Sequence, residues 1–167
     1  ERAAAAVRGY GATPVRGELG AITEQMLAGV AVVVHAAAFV EEWGTREQFW
    51  QGNVEGTRNM LEAARAAGVR RFIHVSSLAA REPALSTYGW SKAESEARAM
   101  DAPSPIIVRP PGVYGPRDRD VLEMFGMATK GFMLLPPPGR ASWIHASDLA
   151  RLLLALVDGG PTGTILE

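Results

Sequence analysis

The sequence predicts an α/β fold built on a doubly wound parallel sheet. Short apolar runs rich in β-branched residues alternate along the chain with longer stretches of helical periodicity. Three of the runs, Val30–Val34, Arg70–Val75 and Ile106–Arg109, are typical of strands that are buried on both faces of a parallel sheet. Strands that are joined through helices form right-handed βαβ units, in which all strands point the same way.

Composition and charge describe one globular domain. The chain has 167 residues, of which 47% are hydrophobic and 21% charged, so it can bury a sizeable core. A net charge of −1 does not give the basic surface of a nucleic-acid-binding protein. The absence of cysteine excludes disulfides and thiolate metal sites and fits a reducing compartment. Because the longest apolar run is too short to span a bilayer and no signal peptide is visible, we expect a cytoplasmic protein without a membrane partner.

The first 40 residues predict two helices and two strands. Glu1–Arg8 is an alanine-rich helix, Thr13–Val15 a short strand and Ala21–Ala28 a second helix. The strand Val30–Val34 then leads into the small residues Ala36–Ala38. Small side chains beyond a strand end let a ligand approach the backbone, although alanines also suit helix packing.

The longest helical pattern covers Thr45–Ala67. Asn53 lies on or near its apolar stripe, so its amide either ties neighbouring backbone together or holds a water in a proton path. Gly52 and Gly56 each cost a helix about 1 kcal/mol relative to alanine, which indicates the close approach of another element. The core-facing stripe consists of Phe49, Trp50, Val54, Met60, Leu61 and Ala64.

Polar residues that could take part in catalysis follow the strand Arg70–Val75. The strand ends at two serines, and a helix that begins near Thr87 carries Tyr88 and Lys92 on one face. A phenol with a pKa of about 10 is a poor base at neutral pH, and lowering that pKa to about 7 takes about 4 kcal/mol. As a neighbouring cation, Lys92 could supply this stabilisation of the phenolate, unless it is simply a solvated helix residue. Ser77 could hydrogen-bond a substrate oxygen.

The remaining elements follow the same alternation. In a parallel sheet, ligands bind beyond the carboxyl ends of the strands, so one rim should carry Ala36, Ser77 and Pro110, with Tyr88 entering from its helix. The predicted elements are a breaker at Asp101–Pro105, a rigid loop at Pro110–Pro116, a helix at Asp118–Lys130 with Asp118 or Asp120 near its start, an extended segment at Pro136–Pro138, a strand at Trp143–His145, a helix capped by Ser147 or Asp148 that runs to Val157, and a last strand at Gly163–Leu166.

In five segments the sequence resembles the extended short-chain dehydrogenase/reductase family, which includes the NAD-dependent epimerase/dehydratase group. The resemblance covers nearly the whole chain and implies a Rossmann-like NAD(P)-binding domain over residues 1–167, with residues about 117–146 on the substrate side. It implies NAD or NADP as cofactor, a small-molecule substrate and a homodimer through the Thr45 and Tyr88 helices. The segments are VVVHAAA, NVEGTRNMLEAARAAGVRRFIHVSS, YGWSK, RPPGVYGP and WIHASDLA.

The resemblance also implies roles for individual residues. Tyr88 would be the catalytic acid/base, Lys92 would lower its pKa and hold the nicotinamide ribose, and Ser77 would orient the substrate oxygen. Asn53 matches the family's helix asparagine, and His145, near the substrate cleft, is structural more often than catalytic. The three histidines lack metal-ligand spacing, so no metal is implied. The cofactor contacts would be Glu18, Leu19, Ala36, Ala37, Ser76, Tyr88, Lys92, Pro110 and Val113.

The sequence departs from the family pattern at both ends. It contains neither the glycine-rich turn that takes the cofactor pyrophosphate nor the residue that distinguishes NAD from NADP, and the C-terminal substrate region is absent. If the chain is a fragment as it stands, we expect weak or no dinucleotide binding. An intact mass well above 17.8 kDa would instead indicate further segments.

Three functions are compatible with these residues. The first is a reductase or dehydrogenase that moves hydride between NAD(P) and a small carbonyl or alcohol, similar to hydroxysteroid and flavonol-type reductases. For this function, Phe39, Trp43 and Trp90 favour an apolar substrate, unless they are ordinary core aromatics.

The second function is a nucleotide-sugar epimerase or dehydratase with retained NAD, whose diphosphate pocket could use Arg117, Arg119 and Arg140. The third is a non-catalytic dinucleotide-sensing or remnant protein. The intact Ser77, Tyr88 and Lys92 argue against this third hypothesis, and the missing glycine loop argues for it.

Overall fold

The main sheet has four parallel strands and is flanked by helices. The computed structural model describes residues 2–41, 43–118, 120–131 and 141–167. The sheet order is β1 (Val32–His35), β2 (Arg71–Val75), β3 (Pro105–Val108) and β6 (Thr164–Leu166), and a separate parallel pair is formed by β4 (Gly112–Tyr114) and β5 (Trp143–His145). The α-helices are α1 (Arg2–Gly9), α2 (Arg46–Phe49), α3 (Gly56–Ala66), α4 (Thr87–Ala99), α5 (Asp120–Thr129) and α6 (Ala146–Asp158).

Both faces of the main sheet are buried because successive strand residues point to opposite sides. On one side, Phe72 of β2 packs in a cluster with Leu61 of α3. On the other side, its neighbour Ile73 packs in a cluster with Leu156 of α6. Phe72 and Ile73 are both fully buried, which explains why the strand is continuously apolar. The prediction of a doubly wound parallel sheet is confirmed.

The long predicted helix is continuous but changes its winding. It starts at a capping box, in which the Thr45 hydroxyl accepts from the Gln48 backbone N at 3.2 Å and the Gln48 amide oxygen accepts from the Thr45 backbone N at 2.8 Å. Between α2 and α3, residues Trp50–Glu55 form a π-helical segment that contains the buried Asn53. Such widened turns are frequent at functional sites, and the sequence pattern gave no indication of this one.

The predicted close approach at two helix glycines is confirmed. A Cβ atom at Gly52 would lie 2.6 Å from the Cβ atom of Phe39, and one at Gly56 would lie 3.1 Å from Cδ1 of Leu19. The approaching side chains belong to the same chain. The two glycines therefore accommodate intramolecular packing.

Two predictions in the first 30 residues are wrong. Residues 13–15 are irregular backbone, because they do not pair with the edge strand β1 and a strand needs such a partner. The predicted helix Ala21–Ala28 is replaced by two short 3₁₀ turns, Leu19–Ala21 and Glu24–Leu27. They are separated by Ile22 and Thr23, two β-branched residues with extended backbone, which interrupt a helix.

The C-terminal part differs from expectation at two points. The predicted rigid loop after β3 contains the short strand β4, which pairs with β5. Helix α6 begins two or three residues earlier than predicted, because its cap is His145 instead of Ser147 or Asp148. The Nδ1 atom of His145 accepts from the Ser147 backbone N at 3.2 Å. The predicted extended segment Pro136–Pro138 lies outside the described residues. Within the described ranges, no helix has the length and apolar character needed to cross a bilayer.

Two buried histidines lie side by side at the ends of β1 and β2. His35 and His74 are register partners whose rings stack with centroids 5.4 Å apart. The Thr57 hydroxyl donates to the Asn53 carbonyl, so at 3.0 Å it accepts from His35 Nε2. Burial, and next the charge of Lys92, lower the pKa of His35 to about 4 and the pKa of His74 well below its usual range. Both rings are therefore neutral at pH 7.

We expect this pair to make the fold acid-sensitive. The unfolded histidines take up protons below a pH of about 6.5, whereas the folded ones do not, so the free energy of unfolding falls as the pH drops from about 6.5 towards 4. At pH 5 the loss from His35 should be about 2 kcal/mol, and His74 should add to it in the same direction. Urea unfolding between pH 7.5 and 5 measures it. The double variant His35→Gln with His74→Gln should lose most of this slope, His145→Gln should keep it, and equal slopes in all three proteins would contradict the assignment.

Candidate active site

A cavity of about 560 Å³ lies at the carboxyl-end rim of β2 and β3, and residues that follow β1 also border it. This is the edge of a parallel sheet at which a ligand site is expected. The structure brings most of the predicted site residues to its walls. They are Ala36, Ser76, Ser77, Tyr88, Lys92, Pro110 and Val113.

The other predicted residues do not border the cavity. Glu18 is exposed and precedes the first 3₁₀ turn, and Leu19 in that turn packs against Gly56. Ala37 is exposed. Asn53 is buried, with 2% of its surface accessible.

Ser77 and Tyr88 meet because the start of α4 packs tightly on the turn that follows β2. The Ser77 hydroxyl accepts from the Ala79 backbone N at 3.2 Å and lies near enough to the Tyr88 phenol to affect its pKa. A Cβ atom at Gly89 would lie 2.6 Å from the carbonyl oxygen of Ala79. Glycine after Tyr88 therefore permits the approach, and the Ser86 hydroxyl caps the helix by accepting from the Gly89 backbone N at 2.9 Å.

The pKa of Tyr88 moves in the direction opposite to the prediction. Burial raises it, while the neighbouring Ser77 hydroxyl acts in the lowering direction. The Lys92 ammonium donates to the Val75 carbonyl oxygen at 2.8 Å. The lowering of the Tyr88 pKa by Lys92 therefore stays a prediction. At neutral pH the phenol keeps its proton and can act as a proton donor.

Lys92 is a buried cation and not a solvated helix residue. Only 2% of its surface is accessible, and it borders the cavity. Burial lowers its pKa to about 8, and the Glu96 carboxylate acts in the raising direction. At pH 7 the ammonium is therefore still mostly charged.

Asn53 ties two segments of backbone together. Its Oδ1 accepts from the Phe39 backbone N at 2.6 Å, and its Nδ2 donates to the Phe39 carbonyl at 3.0 Å and to the Ser91 hydroxyl at 2.8 Å. Ser91 in turn donates to the Tyr88 carbonyl at 2.8 Å. Of the two predicted alternatives, the geometry matches the structural tie.

The aromatic residues that indicated an apolar substrate do not line the cavity. Phe39 packs edge-on against Phe49 with ring centroids 5.0 Å apart, Trp90 stacks on Trp50, and Trp43 is 87% exposed. The cavity walls are nevertheless largely apolar. The lining residues that sequence analysis did not name as site residues are Val40, Val75, Leu78, Ala79, Pro111, Gly112, Ala141, Ser142, Trp143 and Leu149.

Cations are scarce at this site. Among the described lining residues, Lys92 is the only one with a positive charge. Arg117 is directed elsewhere and donates to the Tyr10 hydroxyl at 2.9 Å, and Arg119 and Arg140 lie outside the described residues. Within the described ranges, no group of three or more histidine, aspartate or glutamate side chains could hold a metal ion.

Residues 15–166 match the model of the NAD dependent epimerase/dehydratase family. The match covers most of the sequence, and the chain belongs to this family. The family resemblance, the Rossmann-like fold and the NAD-type cofactor predicted from the sequence are thereby confirmed.

Two curated relatives are reductases. The ceramide reductase of Caulobacter vibrioides is 44% identical over 147 residues, which cover 84% of this chain and 45% of that protein. The 4-hydroxy-2-methyl-3-oxo-4-farnesyl-3,4-dihydroquinoline-1-oxide ketoreductase of Stigmatella aurantiaca is 30% identical over 191 residues, which cover 99% of this chain and 57% of that protein. The chain thus spans about half the length of the curated relatives it matches.

A solved structure with the same fold is a dehydratase. A double mutant of DesIV, the dTDP-glucose 4,6-dehydratase of Streptomyces venezuelae, was solved with NAD and DAU bound. It superimposes with a TM-score of 0.81 at 26% sequence identity, and the alignment covers 99% of this chain and 61% of that chain. The relatives are thus two reductases and one dehydratase.

Proposed function

We propose that the protein is an NAD(P)-dependent oxidoreductase that reduces the carbonyl group of an apolar small molecule. The observation that carries this proposal is the meeting of Ser77, Tyr88 and Lys92 at one cavity beyond the strand ends. Ser77 and Tyr88 line the same cavity, and Tyr88 is in its proton-donating form at neutral pH.

The residues at the cavity suit a nicotinamide dinucleotide, which supplies the hydride when bound. Lys92 has three donors, of which one binds Val75, so it can also bind ribose hydroxyl groups. The small side chain of Ala36 leaves room for a flat ring beside the backbone. Pro110 and Val113 supply a rigid apolar wall opposite.

In the proposed reaction, the chain contributes a proton and two hydrogen-bonding groups. Tyr88 donates its phenolic proton to the substrate oxygen as the carbonyl carbon is reduced, so an alcohol and a phenolate result. Ser77 hydrogen-bonds the same oxygen and stabilises its developing negative charge. The Lys92 ammonium, four residues along the same helix face, stabilises the phenolate that forms. Asn53 acts as a positioning residue through Ser91.

Two observations support an apolar substrate. The cavity is walled by residues such as Leu78, Trp143 and Leu149, with Lys92 as its one cation among the described lining residues. The relative with 44% identity is named a ceramide reductase, which acts on a lipid. We infer that residues 1–167 form an NAD(P)-binding domain and that residues about 117–146, with Trp143 among them, contribute to the substrate side.

The second candidate is a nucleotide-sugar dehydratase or epimerase. The structural likeness to dTDP-glucose 4,6-dehydratase supports it. A diphosphate substrate needs several positive charges, however, and the described lining residues supply only Lys92. For this reason we favour the reductase.

A substrate comparison tests the proposal. We expect oxidation of NADH or NADPH by the purified protein with a long-chain ketone such as a 3-keto sphingolipid, and none with dTDP-glucose or UDP-glucose. Released cofactor should be detected after each turnover. Conversion of a nucleotide sugar by protein that retains its NAD would instead establish the dehydratase or epimerase hypothesis. Binding of the dinucleotide without any turnover would establish the sensing hypothesis.

We also infer a cytoplasmic homodimer. On the helices of the proposed interface, cations lie over half-buried rings. Arg46 lies 3.8 Å from the Trp90 ring centroid, Trp90 stacks on Trp50, and Arg98 lies 5.0 Å from the Trp50 ring centroid. Aromatic residues and arginine are enriched in protein interfaces. The absence of cysteine is compatible with the reducing cytoplasm. Sedimentation analysis measures the oligomeric state.

A further inference from the structure

A buried carboxylate lies behind the cavity and has no role in the reaction proposed above. Glu96 follows Lys92 by one helical turn and Tyr88 by two turns, so the three side chains share one face of α4. Only 5% of Glu96 is accessible. A carboxylate at this depth is expensive to desolvate unless it is paired and hydrogen-bonded.

Arg109 pairs with this carboxylate through two parallel contacts. Its Nε donates to Oε1 of Glu96 at 2.8 Å, and its Nη2 donates to Oε2 at 2.6 Å. A two-pronged contact of this kind fixes the orientation of both side chains. Because Arg109 follows β3 and precedes Pro110 of the cavity wall, the contact fastens the start of that wall to α4.

The same carboxylate holds the end of β2. The Ser76 hydroxyl donates to Oε1 of Glu96. The preceding residue, Val75, accepts the hydrogen bond from Lys92. The last residue of β2, Val75, and the next residue, Ser76, are therefore attached to α4 directly before Ser77.

We propose that Glu96 is a positioning residue of this site: clamped by Arg109, it holds the ends of β2 and β3 against α4. This inference rests on the proposed function, since it concerns the same reaction. Glu96 also favours the charged form of Lys92, which is faced by His35 from β1 and by His74 from β2. Loss of the carboxylate should therefore change both the geometry of catalysis and the charge of Lys92.

The test compares Glu96→Gln with a matched control on the same helix. Glu94 pairs with Arg98 at 3.1 Å but is more exposed than Glu96, so Glu94→Gln removes the same charge from an ion pair outside the cavity. With a ketone that the wild-type protein reduces, we expect kcat of Glu96→Gln to fall about tenfold or more and KM for NADH to change less than about threefold. Glu94→Gln should behave as wild type.

A second measurement needs no turnover and separates this inference from the proposed function. The chain has two lysines, Lys92 and Lys130, so competitive acetylation followed by peptide mass spectrometry compares Lys92 with an internal standard. In Glu96→Gln the labelling midpoint of Lys92 should move to lower pH by about one unit or more, and that of Lys130 should not move. If the wild-type protein reduces no ketone, the proposed function fails while this result still decides the role of Glu96.

A second variant covers the case in which Glu96→Gln does not fold. Arg109→Lys keeps the positive charge but cannot make the two-pronged contact, so kcat should fall several-fold while the Lys92 midpoint stays in place. Wild-type kcat together with a wild-type Lys92 midpoint in folded Glu96→Gln would overturn the proposal. Wild-type kcat in Arg109→Lys would overturn the clamping role of Arg109.

Discussion

Tyr88→Phe is expected to reduce kcat for ketone reduction about 1,000-fold while NADH affinity changes less than about twofold. A positioned general acid typically contributes between about 100-fold and 10,000-fold to a rate. Phenylalanine keeps the ring that packs near Phe49, with centroids 6.3 Å apart, and removes only the hydroxyl. The variant therefore removes the proton donor and leaves the packing of the ring unchanged.

The matched control for this variant is Tyr114→Phe. Tyr114 is 37% exposed on β4 and contacts His145, and it does not border the cavity. Its hydroxyl should be dispensable. Single-turnover kinetics and NADH fluorescence titration separate chemistry from binding. Full activity in Tyr88→Phe would remove the proposed mechanism, even if cofactor binding were intact.

Features that depend on local pattern could be predicted from the sequence. The strands β2 and β3 are continuously apolar because both faces of the sheet are covered, and this fixed their position to within one residue. The i, i+4 spacing placed Tyr88 and Lys92 on one face of α4, and the rule for strand ends put Ser77 beside them. Gly52 indicated close packing because glycine is unfavourable inside a helix.

Features that depend on distant contacts could not be predicted. Trp143 reaches the cavity because β5 pairs with β4, in a register that sets Trp143 opposite Gly112 about 30 residues earlier. The side-chain amide of Asn53 is hydrogen-bonded to the backbone of Phe39, and no helical pattern indicates this contact. The pKa of Tyr88 depends on burial, which sequence spacing does not give.

Lys92→Met is expected to lose activity and gain stability together. The side chain keeps a similar length and loses the charge, so the phenolate of Tyr88 and the ribose hydroxyl groups lose their cation. We expect kcat/KM to fall about 100-fold and NADH to bind about tenfold more weakly. In the wild-type protein, activity should decline as the pH rises through about 8, where Lys92 loses its proton.

The stability gain follows from the same depressed pKa. Because the folded pKa of Lys92 is about 8 and its ordinary value is 10.5, the charged form costs the folded protein about 3 kcal/mol at pH 7, and that cost disappears as the pH rises from 8 to 10.5. Methionine removes the cost but leaves the Val75 carbonyl without its donor, which costs about 1 kcal/mol. The net gain in the free energy of unfolding should be about 2 kcal/mol.

Urea unfolding and NADH titration of Lys92→Met measure both effects, with Lys130→Met as the matched control. Lys130 follows α5 and is exposed, so its replacement should change neither stability nor binding. A residue that served only the fold would destabilise the protein when replaced. A buried binding residue that is kept charged against a lowered pKa should instead make the protein more stable when it is replaced. Equal NADH affinity in Lys92→Met would show that Lys92 does not bind the cofactor.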